Sequence, residues 1–121
     1  MTIKRKQKPI LPTLRQRNRY LAFEILSERQ IADFDALSSE IENNLLSFMG
    51  EINYAAANPL IIREKWDMKR QRGILCIGHK HTATAQAGFA LMEKAAGSEA
   101  IVRSLGVSGI LAKASKKYII D

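Results

Sequence analysis

Arg15, Arg17 and Arg19 stand at alternate positions, and their chemistry is the most readily read in the chain. In an extended backbone, side chains two residues apart project to the same side, so these guanidinium groups form a short cationic row suited to tracking phosphates. Lys4, Arg5, Lys6 and Lys8 precede them; Lys69, Arg70 and Arg72 lie mid-chain, and Lys113, Lys116 and Lys117 near the end. Together these residues are the candidate polyanion-binding set. Groups for covalent chemistry are sparse by comparison. A protein that hydrolyses phosphodiesters needs clustered carboxylates for metal ions or a well-placed acid/base pair. Here the carboxylates form no converging strand-end set, and no catalytic residue is assigned.

His79-Lys80-His81 is the one suggestive trio, since two histidines at i and i+2 can share a metal or a proton. No Cys or second His cluster completes a ligand set, so no metal site is assigned, and the expected role is polar contact at a strand end. Cys76 lies in the apolar run Ile74-Leu75-Cys76-Ile77 and reads as a packed thiol rather than a nucleophile. As the single cysteine it excludes an internal disulfide and fits a reducing compartment. Gly106-Val107-Ser108-Gly109 lacks the Gly-Lys-Ser/Thr ending of a phosphate-cradling loop. It reads either as an anion-accepting helix start or as a tight turn that needs small residues.

The charge that frames these groups is unevenly spread. The net charge is +7, yet residues 1–20 carry no acid, residues 21–62 are strongly acidic, and residues 63–121 are basic again. Such separation predicts one face for a polyanion and another for solvent or a basic partner. A chain of 121 residues with 46% hydrophobic content supports one core, so residues 1–121 are expected to form a single domain, with 1–14 as a basic, flexible arm. No apolar run approaches the roughly 20 residues of a membrane span, and the N-terminus is unlike a secretory signal. A soluble, cytoplasmic protein is expected, with no membrane partner.

The elements that must position these residues follow from periodicity. Tyr20 to Ile25 alternates in character, predicting a half-buried strand over Asn18 to Ser27. Phe34, Leu37, Ile41, Leu45 and Phe48 recur at helical spacing, with Ser27 or Asp33 as cap, Gly50 as stop and Asp35, Glu40 and Glu42 on the other face. Glu51 to Ala57 reads as a short helical turn. A strand from Leu60 to Asp67, a basic hairpin loop, a strand from Ile74 to His79, a helix from Thr82 to Ala96, a strand from Ala100 to Val107 and a helix from Ile110 to Ile119 complete the reading. The order β-α-β-β-α-β predicts an α/β (α+β) fold: a ferredoxin-like, RRM-like four-stranded antiparallel sheet with helices packed on it, plus a C-terminal helix.

Arg72-Gly73 opens the third strand as in the RNA recognition motif, but Ile74 to His79 supplies none of that motif's base-stacking aromatics. Those positions read as core. Leu11-Pro12-Thr13-Leu14-Arg15 leading into Arg19 to Ile25, then Gln71 to Leu75, then Leu105 to Ile110 followed by a basic helix, resemble one family. It is the small protein subunit of archaeal and eukaryotic ribonuclease P, called protein component 2 in archaea. No single one of these motifs is diagnostic; their order and spacing carry the resemblance.

The resemblance implies a subunit that helps a catalytic RNA remove the 5′ leader from precursor tRNA. It implies that the RNA and its Mg²⁺ supply the chemistry, with no cofactor bound by this chain, and that a larger, TIM-barrel-like protein subunit is a partner. The acidic helix, or the sheet face left uncovered by helices, is the expected surface for that partner. The alternative is a stand-alone nucleic-acid-binding module such as a ribosome- or nucleoid-associated protein. A third reading is a small-molecule-sensing domain whose charge is incidental.

Overall fold

The computed structural model describes residues 17–120. The N-terminal arm, with Lys4, Arg5, Lys6, Lys8 and Arg15, lies outside the described residues. The central strand β1 (Asn18–Ser27) falls where its alternation places it. It pairs antiparallel with β3 (Arg72–Gly78) on one side and β5 (Ser98–Ser108) on the other. Two-residue strands close the edges, β2 (Leu60–Ile61) against β3 and β4 (Lys94–Ala95) against β5, giving the order β2-β3-β1-β5-β4. The sheet therefore has five strands where four were expected.

The pleat of β1 divides the core in two. Leu21, Phe23 and Ile25 join α1 (Phe34–Met49) and α3 (Thr82–Leu91) on the inner face. Ala22, with Ile74 of β3, faces the other way. Phe23 is fully buried, its ring 5.3 Å from that of Phe89 and 6.5 Å from that of Trp66. Gly73 makes room for it: a β-carbon there would lie 2.8 Å from Phe23 Cζ.

On α1 the buried stripe is Leu37, Ile41, Leu45 and Met49, so Met49 takes the place expected of Phe48, which stays exposed. Asp33 is the cap, accepting from the Ala36 N–H at 3.1 Å. Gly50, at φ 84°, ends the helix and leads into α2 (Glu51–Ala57). Asp33→Ala should cost about 1 kcal/mol of stability, read as a lowered melting temperature, because it orphans that N–H. An unchanged melting temperature would show that the cap contributes nothing.

Three expected boundaries are corrected. The strand predicted from Leu60 to Asp67 stops at Ile61, and Arg63–Lys65 forms a 3₁₀ turn. Asp67 returns only as a single bridge to Arg72. Buried Gln71, at φ 57°, holds this turn, bonding Ile31 through both its N–H and C=O and accepting no helix geometry. Helix α3 begins at Thr82, with His81 as the residue before it. It ends at Leu91 rather than Ala96, because residues 94–99 form a hairpin around Ala96 and Gly97, both at positive φ.

The third difference is at the C-terminus. Helix α4 (Leu111–Ala114) continues as one π-helical stretch, Ser115–Ile120. Its residues Ala114 and Ile119 are buried against Ala22 and Ile74, with Leu111 and Tyr118 packed beside them. The outer sheet face expected to be open is therefore covered here, while its Leu26–Ile101 end stays exposed.

Candidate nucleic-acid interface

The C-terminal segment presents Lys113, Lys116 and Lys117 to solvent. It lies on the outer side of the sheet, whereas α1 packs on the inner side. The charge separation of the sequence thus becomes a separation in space. Of the acids on α1, Asp35 pairs with Arg63, Glu40 accepts from the Gly97 N–H and Glu42 from the Ser38 hydroxyl.

Arg70 and Arg72 anchor this segment. Arg70 Nη1 donates to the Ile119 carbonyl at 3.1 Å, and Arg72 Nη1 to the Tyr118 carbonyl at 2.9 Å. Carbonyls at a helix C-terminus lack intrahelical donors and sit at the negative end of the dipole, so guanidinium groups suit them. Arg72 also lies 3.4 Å from Glu24, which pairs on its other side with Arg103. Glu24 is opposite Arg72 on β3 and Arg103 on β5, so the three charges form one row across three strands. Arg72→Ala should therefore lower stability by about 1–2 kcal/mol and leave the salt dependence of RNA binding unchanged. A lowered salt slope with an unchanged melting temperature would assign Arg72 to RNA instead.

A second group gathers where β1 begins. The Arg17 carbonyl accepts from the His79 N–H at 2.7 Å, and His79 Nδ1 lies 3.2 Å from the same oxygen. Arg17 is exposed; Arg19 is half-buried, and its Nη1 lies 3.7 Å from where a Gly109 β-carbon would be. Exposed Lys80 sits beside His79 at this end of the sheet. Its placement depends on the pairing of Asn18 with Gly78, for which there was no local signal. Lys69 is exposed on the turn, where the Asp67 carboxylate accepts from the N–H groups of Lys69 and Arg70.

The glycine-rich stretch is not a turn throughout. Gly106 is inside β5 under Tyr118, and Ser108 bonds its hydroxyl to the N–H and carbonyl of Ile110. Among the described residues no three His, Cys, Asp or Glu side chains converge as a metal site. Burial pushes the Cys76 thiol up from its ordinary pKa, against a smaller opposing effect of a hydrogen bond with Tyr20. No helix among the described residues is long and apolar enough to cross a membrane.

Comparison with known proteins adds the decisive observation: the model of the Rpp14/Pop5 family matches residues 19–119. The chain belongs to the Rpp14/Pop5 family. It is 34% identical over 119 residues to ribonuclease P protein component 2 of Thermococcus gammatolerans, covering 98% of this chain and 97% of that one. It is 35% identical over 114 residues to the protein of the same name from Pyrococcus abyssi, and 28% identical over 114 residues to that of Methanosarcina mazei, covering 94% of each chain in both cases. A chain in a cryo-EM structure of yeast ribonuclease MRP shares the fold at a TM-score of 0.59 and 16% identity, over 85% of this chain and 78% of that one. This Rpp14/Pop5 chain is thus a member of a family of RNA-processing ribonucleoprotein subunits, with a mixed α/β fold on an antiparallel sheet.

Proposed function

We propose that this chain binds the catalytic RNA of a cytoplasmic ribonuclease P and helps it remove the 5′ leader from precursor tRNA. The RNA holds Mg²⁺ and performs the cleavage; this chain supplies cations and a rigid surface, and a TIM-barrel-like protein subunit binds it. The observation that carries this reading is the lysine-bearing C-terminal segment laid on the sheet face opposite the acidic helix. Without the two-residue β4, the order β2-β3-β1-β5 is that of a ferredoxin-like sheet, which supports an RRM-type scaffold. The base-stacking face of such a scaffold is here occupied by Ala114, Tyr118 and Ile119, which favours phosphate contact over base reading.

Reconstitution tests it. Adding this chain to the catalytic RNA and the other protein subunits should raise precursor-tRNA cleavage, while the chain alone should give none. Replacing His79 and His81 together with Ala should leave cleavage within about tenfold, roughly 1.4 kcal/mol in the barrier. Metal-dependent cleavage by this chain without RNA would overturn the proposal.

A further inference from the structure

The outer sheet face is left open at one end. Leu26 of β1 and Ile101 of β5 stand opposite each other there, 43% and 62% exposed, although both are large and apolar. They line an open cleft of about 610 Å³ together with Met92 and Ala100. Its rim carries three carboxylates, Glu28, Glu93 and Glu99, against one ammonium, Lys94, on a protein whose net charge is +7. A neighbouring depression lined by Glu40, Asn44 and Leu91 shares Glu93 and Lys94 with it, so the acidic, apolar character continues towards α1.

This wall is already rigid. The hairpin turn at Ala96-Gly97 is tied to α1 by the Gly97 N–H, which donates to Glu40 at 3.2 Å. The Ala100 N–H donates to the Glu93 carbonyl at 3.0 Å, fixing the rim residue. A preformed surface loses little conformational freedom when a partner seats on it. Leu26 is seven residues along β1 from Arg19, about 23 Å away, so a ligand here does not compete with one at the Arg17–Arg19 end. An RNA would meet carboxylates on this rim and find like charge. The complementary ligand has an apolar side chain flanked by lysine or arginine.

We propose that the Leu26–Ile101 cleft is a docking site for a basic protein segment, which inserts an apolar side chain between Glu28, Glu93 and Glu99. This rests on the reading of the chain as a subunit of a ribonucleoprotein, and names the chemistry of the protein partner at one surface.

The test uses the full chain in the assembled ribonucleoprotein, carrying the photo-crosslinking amino acid p-benzoylphenylalanine at Ile101 or, separately, at Lys116. The Lys116 probe should crosslink to RNA; if it does not, the RNA-facing assignment fails on its own account. The Ile101 probe should crosslink to a protein segment in which lysine or arginine flanks an apolar residue. Glu93→Lys with Glu99→Lys should cut that adduct at least tenfold and leave the Lys116 adduct intact. Crosslinking of Ile101 to RNA, to a second copy or to an uncharged or acidic segment would overturn the proposal. So would no adduct from Ile101 alongside an RNA adduct from Lys116, or an adduct insensitive to the two charge reversals.

Discussion

Replacing Lys113, Lys116 and Lys117 together with Ala should flatten the salt dependence of RNA binding by about two to three log–log units. If each lysine meets one phosphate, each releases close to one counterion, and a slope change of that size follows directly. Between 50 and 200 mM salt the wild-type chain should then lose about 16- to 64-fold more affinity than the variant does. Matched and mismatched RNAs should weaken equally, since phosphate contacts position a protein without reading sequence. The three side chains are exposed, so the melting temperature should hold. Glu42→Lys, on the opposite side of the sheet, is the control and should leave affinity unchanged. A triple variant with the wild-type slope, or a Glu42→Lys variant that loses RNA, would reverse the assignment of the two faces.

Gly106→Ala should destabilise the protein by about 1–3 kcal/mol through overpacking. A β-carbon at that position would lie 1.9 Å from the Tyr118 hydroxyl oxygen and 2.4 Å from its Cζ, so the ring must swing away. Tyr118 packs with Ala114 and Ile119 on the outer core, and Arg72 holds its carbonyl, so displacing it loosens the whole lysine-bearing segment. In a Tyr118→Ala background the same glycine substitution should cost much less, because the three atoms nearest that β-carbon all belong to the Tyr118 ring and hydroxyl. A Gly106→Ala penalty that persists without the ring would place its cause in the β5 backbone. RNA affinity should fall with the clash.

How far the sequence revealed this arrangement differs from element to element. The alternation from Tyr20 to Ile25 and the stripe from Leu37 to Leu45 place β1 and α1 because each pattern is periodic over its whole length. The end of α3 was illegible: Leu91-Met92-Glu93-Lys94-Ala95-Ala96 is built of strong helix formers, and pairing with β5 overrides that preference. Ala96 at φ 52° gives no warning of a hairpin that glycine or asparagine usually marks. Of the candidate site, the lysines of the last helix were readable as exposed cations. That Arg70 and Arg72 turn inward to its carbonyls depends on contacts 46 and 49 residues apart in sequence, beyond any local pattern.

The central place of β1 also has a consequence for how the protein is made. Its Glu24 meets Arg72 only 48 residues later and Arg103 only 79 residues later. At about 5–20 residues per second, a ribosome needs roughly 4–16 s to deliver the second partner after the first strand has emerged. Until β3 has emerged Leu21, Phe23 and Ile25 have no sheet to enter, and only α1 is close enough in sequence to shelter them. The nascent chain therefore passes through a period in which its central strand is held by one helix, and the sheet closes only near the end of translation.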